Sequence, residues 1–549
     1  MVETSRLEGI RRIDATIAYA LFGCFFLLLI ILAFDFPHPD PDFYVYLDQA
    51  RDIAAFKQTD QKFAPGFPLL LSPFAGFSAS TAEIVGRCIG LGSYLIFGFA
   101  MIGILRRLNL IGISLAVVAI LGSRYVMITS LSATSHLPFA AMTASTFWAI
   151  LSRKWTWAYI TAALALSFRY NGLLLPFFVM ISHFLSNDES RKAFKKIAPP
   201  VLFCVLGILP TALYMQFGTE VGVSRYREEV EARGTAGLQV VQYMAAGIGV
   251  SFMDSVGSKA ISKGDTSMKV LFGIAILPLL AMSILGVYFL WKSQRFFCLW
   301  LAIWLAWWVV VHSRFADVGG IYFYTTQITW AIWTLVAAGL SYLVVSKPFA
   351  LYSIFIPFVL LWMDSRLSIF LALGITALAF PFVRSFSKTA MPIFLATFAL
   401  LPLSFVNAKE KIYENNPRPV IEAFLDWSKS HPKILVSPFM LDQWKAAGLD
   451  VSNLVSEEYI DGSDIMNSIK KLGVRYAAVT SWEMDYRTEE EFIEGHEFFL
   501  GKRYPTSLRP YDLLLNAYRE RGWKKVQEFK VRNAAIFVYE PIHFSSENR

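Results

Sequence analysis

Apolar residues in this chain come in long blocks with few charges, such as Ile17 to Phe34, Leu271 to Trp291 and Phe296 to Val311. A bilayer core takes about 20 apolar residues per helix. About 13 crossings follow, over residues 17–34, 68–105, 108–123, 135–152, 155–169, 170–186, 197–217, 269–291, 296–312, 320–345, 349–363, 367–384 and 389–407. No small-residue cleavage pattern follows the first block, only Phe-Pro-His-Pro, so it is expected to stay as a membrane helix.

The last quarter reads differently. Ile434 to Ser437, Tyr476 to Thr480, Val526 to Val531 and Ala535 to Tyr539 read as strands with helices between them. Ser463 stands as the N-cap of a helix over Asp464 to Leu472, and Gly473 stops it. The predicted fold is a polytopic α-helical membrane protein with a C-terminal soluble α/β domain. The membrane part covers 1–408, with long loops at 35–67 and 218–268, and the soluble part covers 409–549.

Composition sharpens this picture. At 55% hydrophobic residues and a mean hydropathy of +0.48, the chain is too apolar for a soluble enzyme of its length. The net charge of +8 does not imply nucleic acid, because the excess sits in short clusters between spans: Arg106 and Arg107, Arg153 and Lys154, Arg191 to Lys196, Lys292 and Arg295, Arg384 and Lys388. That is the positive-inside pattern. It places the N-terminus on the cytoplasmic side of the inner membrane and the C-terminal domain outside, in the periplasm. Cys24, Cys88, Cys204 and Cys298 all lie within apolar spans, so no disulfide framework is implied.

Candidate chemistry clusters at the outer ends. Ionised groups bordering hydrocarbon are costly and mark sites. Arg169, followed by Tyr170 and Asn171, and Arg314, in Val311-His-Ser-Arg-Phe315, both fall there. Two planar guanidinium forks suit a phosphate, with snorkelling to lipid headgroups as the plain alternative. In the first loop, alternating prolines present His38, Asp40 and Asp42 ahead of an amphipathic helix from Phe43 to Phe56. The face formed by Phe43, Leu47, Ala50 and Ala54 is expected along the membrane interface. Asp42 is either a helix cap or a general base held at the water boundary. His38, Asp40 and Asp42 could also converge on a divalent cation such as magnesium or manganese, against the alternative of solvated acids. The loop around Arg225 reads as a solvated helix or an acceptor-binding segment. The C-terminal domain has no glycine-rich phosphate loop, metal-ligand cluster or nucleophile elbow and reads as a lid or acceptor platform.

Asp42-Phe-Tyr-Val-Tyr-Leu-Asp-Gln-Ala-Arg51, followed by Ala64-Pro-Gly-Phe-Pro-Leu-Leu-Leu71, resembles the first-loop signature of GT-C glycosyltransferases. These polytopic enzymes include protein O-mannosyltransferases and lipid A aminoarabinose transferases. Ser167-Phe-Arg-Tyr-Asn-Gly-Leu-Leu-Leu-Pro176 is similar to a second segment of that family, and Arg314-Phe315 to a third. The chain departs from the pattern at Phe43, where relatives have an acidic residue after the Asp, and at Ser135-His136, where many carry Ser-Glu.

The resemblance implies transfer of a sugar from a polyprenyl-phosphate donor to a glycan, lipid or protein acceptor. Asp42, with Asp40 beside it, would be the catalytic carboxylate. Arg314, Arg169 and Lys62 would hold the donor phosphate, and Tyr44, His136, Tyr170, Asn171 and Arg225 would line the substrate pocket. A transporter or lipid flippase, and a ligase or polymerase of diphosphate-linked glycans, are the alternatives. No clear internal repeat of the kind a transporter carries shows in the apolar pattern.

Overall fold

A computed structural model describes residues 2–35, 42–59, 63–186, 266–315, 324–346, 391–414, 418–436, 448–456, 465–480, 523–531 and 534–541, with isolated residues between them. Lys62, His38, Asp40 and Arg225, and most of the expected crossings at 197–217, 349–363 and 367–384, lie outside the described residues.

The membrane part begins with α1 (Val2–Asp35), α2 (Asp42–Ala54), α3 (Gly66–Leu71) and α4 (Ala79–Arg107). Next come α5 (Ile113–Leu121), α6 (Arg124–Leu131), α7 (His136–Leu151), α8 (Trp155–Phe168) and α9 (Leu174–Ser186). It continues through α10 (Thr266–Ser293), α11 (Arg295–Phe315), α12 (Thr329–Ser346) and α13 (Met391–Glu414). Among the described residues five helices are long and apolar enough to cross a membrane: α1, α4, α10, α11 and α12. Shorter apolar helices occupy Trp155–Phe168, Tyr170–Ser186 and Met391–Pro402.

The block at 108–123, expected as one crossing, is instead the first arm of a bent helix pair, a broken span or a re-entrant loop. α5 and α6 meet at a bend of 54°, where Gly122 ends α5 and Ser123 starts α6 by accepting the Val126 amide. The block at 68–105 is likewise divided. α3 and a short 3₁₀ turn, Ser72–Phe74, precede α4, whose first turn Ser78 caps by accepting the Thr81 amide. α13 runs through residue 408, where the hydropathy changes, as far as Glu414.

Small residues set the closest crossings. A Cβ on Gly286 of α10 would strike the carbonyl of Leu335, and one on Gly339 of α12 would strike the carbonyl of Met282. The two backbones are thus in mutual contact, as expected where lipid supplies no hydrophobic drive and van der Waals contact must hold helices together.

The C-terminal part is a mixed sheet with helices. β1 (Lys433–Val436), β2 (Leu454–Ser456), β3 (Val474–Thr480), β4 (Trp523–Val531) and β5 (Ala534–Pro541) lie in the order β2-β1-β3-β5-β4. β1 is parallel to β2 and β3, and β5 runs antiparallel to β3 and β4, with Ala477 opposite Tyr539. α14 (Arg418–Ser428) buries Val420, Ile421, Phe424 and Leu425 in one core with Ile434, Val436, Ala478, Ile536 and Val538. The helix expected over Asp464 to Leu472 is α15 (Ile465–Leu472), ended by Gly473 at φ +68°, the left-handed conformation that glycine adopts without penalty, while Ser463 and Asp464 lie outside the described residues. β2 was not anticipated.

Candidate functional site

The site starts from α2. Asp42 opens the helix, where the N-terminal dipole favours a carboxylate. Phe43, Tyr46, Leu47 and Ala50 are all buried, and of the expected membrane-facing set only Ala54 is exposed. The apolar face is therefore packed into protein. The Phe43 ring lies against Gly86 of α4, and the Tyr46 ring sits 4.8 Å from that of Phe63 and 5.1 Å from that of Phe67. The Tyr44 hydroxyl donates to Glu83 at 2.8 Å. Glu83 faces Arg87 one turn on at 3.8 Å, and Arg87 donates to the Ala33 carbonyl at 3.1 Å. Tyr44 thus turns toward a half-buried ion pair that was passed over in the sequence. Its signal is two opposite charges at i,i+4 spacing inside an apolar stretch.

A second wall comes from the head of α7 and the end of α8. The Tyr46 hydroxyl and the Ser135 hydroxyl are 2.8 Å apart. Arg169 donates to the same Ser135 oxygen at 3.3 Å, and its Nη1 lies 3.4 and 3.5 Å from the two ring nitrogens of His136. Arg169 leaves α8 in an extended conformation, φ −154° and ψ 137°, before the 3₁₀ turn Tyr170–Leu173. This break turns its side chain out of the helix line. The turn is held to the segment before α3, where Tyr170 donates to the Phe63 carbonyl at 3.3 Å, and the end of α8 meets α3 itself, where a Cβ on Gly66 would stand 2.7 Å from the Ser167 carbonyl carbon. The two motifs read separately in the sequence, 64–71 and 167–176, are in direct contact.

The third wall is made by α11 and the segment before α12. The Trp307 indole donates to the Asn171 carbonyl at 3.0 Å, and the Trp308 indole to the Tyr324 carbonyl at 3.1 Å. His312 Nε2 lies 3.3 Å from Asn171 Nδ2 and 3.2 Å from Gln327 Oε1. The Tyr324 ring stacks on His312 at 4.4 Å, meets His136 edge-on at 5.2 Å and carries the Arg169 guanidinium 5.2 Å from its centroid. Gln327 is fully buried, and its Nε2 has no acceptor among the described residues.

Of the expected residues, the structure brings His136, Arg169, Tyr170 and Asn171 together, with Asp42 one helical turn before Tyr46 on α2. Those four residues rise about 6 Å along the helix axis. Arg314 lies in the last turn of α11, and its side chain is outside the described residues. Tyr46, Ser135, His312, Tyr324 and Gln327 join the site without having been singled out for it. No three His, Cys, Asp or Glu side chains among the described residues form a metal-binding group. His38 and Asp40 of the expected set lie outside them. What the described walls offer is one fixed cation, backed by aromatic rings and neutral donors, which suits an anionic ligand.

No family model and no curated protein matches the sequence. Solved structures do. ArnT from Cupriavidus metallidurans bound to undecaprenyl phosphate is 12% identical and aligns over 95% of this chain and 97% of its own, with a TM-score of 0.51. The apo form of the same protein aligns over the same shares at 12% identity, with a TM-score of 0.48. The chain is a multi-pass membrane protein with the fold of ArnT and a small C-terminal sheet region.

Proposed function

We propose that this protein is an integral-membrane glycosyltransferase that moves a sugar from a polyprenyl-phosphate donor to an acceptor hydroxyl on the external face of the membrane. The observation that carries the reading is the convergence of α2, the head of α7 and the Arg169 turn at one end of the bundle. A guanidinium there shares a hydroxyl with the helix that begins at Asp42. The fold shared with a protein solved with undecaprenyl phosphate supports it.

In this reading the acceptor oxygen attacks the anomeric carbon while the bond from that carbon to the phosphate oxygen breaks. The acceptor proton goes to Asp42, acting as general base. The electron pair of the broken bond stays on the phosphate, whose growing charge Arg169 stabilises, with Arg314 and Lys62 as further cations. A phosphate leaves without needing a general acid, so one carboxylate suffices. Displacement on the face opposite the leaving group inverts the anomeric centre, by analogy with single-displacement glycoside chemistry. The membrane part spans 1–408 and the domain from 409 lies on the external side, where it acts as a lid or acceptor platform.

Native mass spectrometry of the detergent-extracted protein tests this. A retained polyprenyl monophosphate, bare or carrying one sugar and lost in Arg169→Ala, is the expected result. Ordinary phospholipid alone would favour a transporter, and a diphosphate-linked oligosaccharide would favour a ligase.

A further inference from the structure

Serine is a preferred helix N-cap because its oxygen accepts an amide of the first turn. Ser78 and Ser123 do this at the heads of α4 and α6. Ser135 also precedes its helix, α7, but with helical dihedrals, φ −75° and ψ −6°, where Ser78 and Ser123 are extended, and its side chain makes no capping bond among the described residues. It is 2% exposed, and its oxygen is given instead to Tyr46 at 2.8 Å and Arg169 at 3.3 Å. These partners lie 89 residues before it and 34 after it. A buried serine at a helix head whose hydroxyl serves two distant partners and no amide of its own helix is an exception of the kind that concentrates at sites. The hydroxyl has two lone pairs and one hydrogen. Arg169 can only donate, so Ser135 accepts from it and still has a lone pair and its proton for Tyr46.

We propose that Ser135 is a positioning residue. Its hydroxyl ties α2, and with it Asp42, to the Arg169 guanidinium and so sets where that cation stands relative to the general base. The proposal rests on the reading of this site as one for a lipid phosphate. Without the link, Arg169 keeps its charge, its place over Tyr324 and its contact with His136, while the guanidinium loses the acceptor that ties it to α2.

The test is titration of the full-length protein in nanodiscs with undecaprenyl phosphate and with uncharged undecaprenol. The variants are Ser135→Ala, Ser135→Thr, Tyr46→Phe, the Ser135→Ala/Tyr46→Phe pair, and Ser123→Ala as a control for a lost cap. Ser135→Ala should weaken phosphate binding about 5- to 10-fold, the scale of one hydrogen bond to a charged group, and leave undecaprenol unchanged. Tyr46→Phe keeps the ring between Phe63 and Phe67, so it reports on the link even if Ser135→Ala folds poorly. It should lose a similar factor, and the pair should be no weaker than the worse single variant. Ser135→Thr should restore binding, and Ser123→Ala should lower the unfolding temperature without altering the preference for phosphate. Unchanged phosphate affinity in Ser135→Ala and Tyr46→Phe, or equal losses for phosphate and alcohol, would overturn the proposal and leave the glycosyltransferase reading standing. A parent protein with no preference for phosphate over alcohol would overturn both.

Discussion

Asp14 accepts both the backbone amide and the hydroxyl of Ser114, 100 residues further along the chain. Its other oxygen takes the amides of Gly112 and Ile113 at 2.7 Å each. A carboxylate from α1 thus caps α5, a helix to which it does not belong. Gly112, at φ +92°, supplies the left-handed turn that aims the three amides inward. Asp14 is fully buried, so Asp14→Ala would take the acceptor from three amides and the Ser114 hydroxyl. It should cost about 3–5 kcal/mol of stability, and Asp14→Asn, which keeps one acceptor oxygen, should cost less. Thermal unfolding in detergent should show Ala below Asn below the parent, and equal midpoints would contradict the cap.

Asp42→Asn should abolish sugar transfer while leaving undecaprenyl phosphate bound at parental affinity, because the amide cannot take a proton but does not disturb the Arg169 wall. Single-turnover transfer assays beside lipid titration separate the two effects. Full turnover in the variant would remove Asp42 as the base.

Gly66→Ala places a methyl 2.7 Å from backbone atoms of Ser167, with no flexible side chain there to yield. α3 must then move away from the Arg169 turn. Overpacking of this kind costs about 1–3 kcal/mol. The expected outcome is a lowered unfolding temperature together with weaker undecaprenyl phosphate binding, since the same contact seats both motifs.

Gly339→Val should separate α10 from α12, because the new side chain meets the Met282 carbonyl directly. Backbone against backbone leaves no rotamer to absorb the change. Loss of the monodisperse peak on size exclusion is expected, whereas Gly273→Val, where a Cβ meets nothing within 4 Å, should elute as the parent does.

Among the described residues, the five long apolar helices, the helix ended by Gly473, and four of the five strands were legible in the sequence. Each depends on local signals: runs of about 20 apolar residues, a left-handed terminator, or short β-branched stretches. β2 was not, since three residues are too few to show alternation. The bend between α5 and α6 was hidden as well, because apolarity along a block says that it is buried in lipid or protein but not that it runs straight.

The site divides along the same line. Asp42, Arg169 and the segments around them stood out because charge beside hydrocarbon is costly and therefore conspicuous one residue at a time. That the apolar face of α2 meets protein, that Tyr44 turns to Glu83, and that Tyr46 and Arg169 share Ser135 were decided only by the tertiary structure. Serine, tyrosine and histidine carry no such cost when they are paired, so nothing in their spacing announces them. Their partners lie tens of residues away, and only the packing of the helices brings the two halves of each hydrogen bond together.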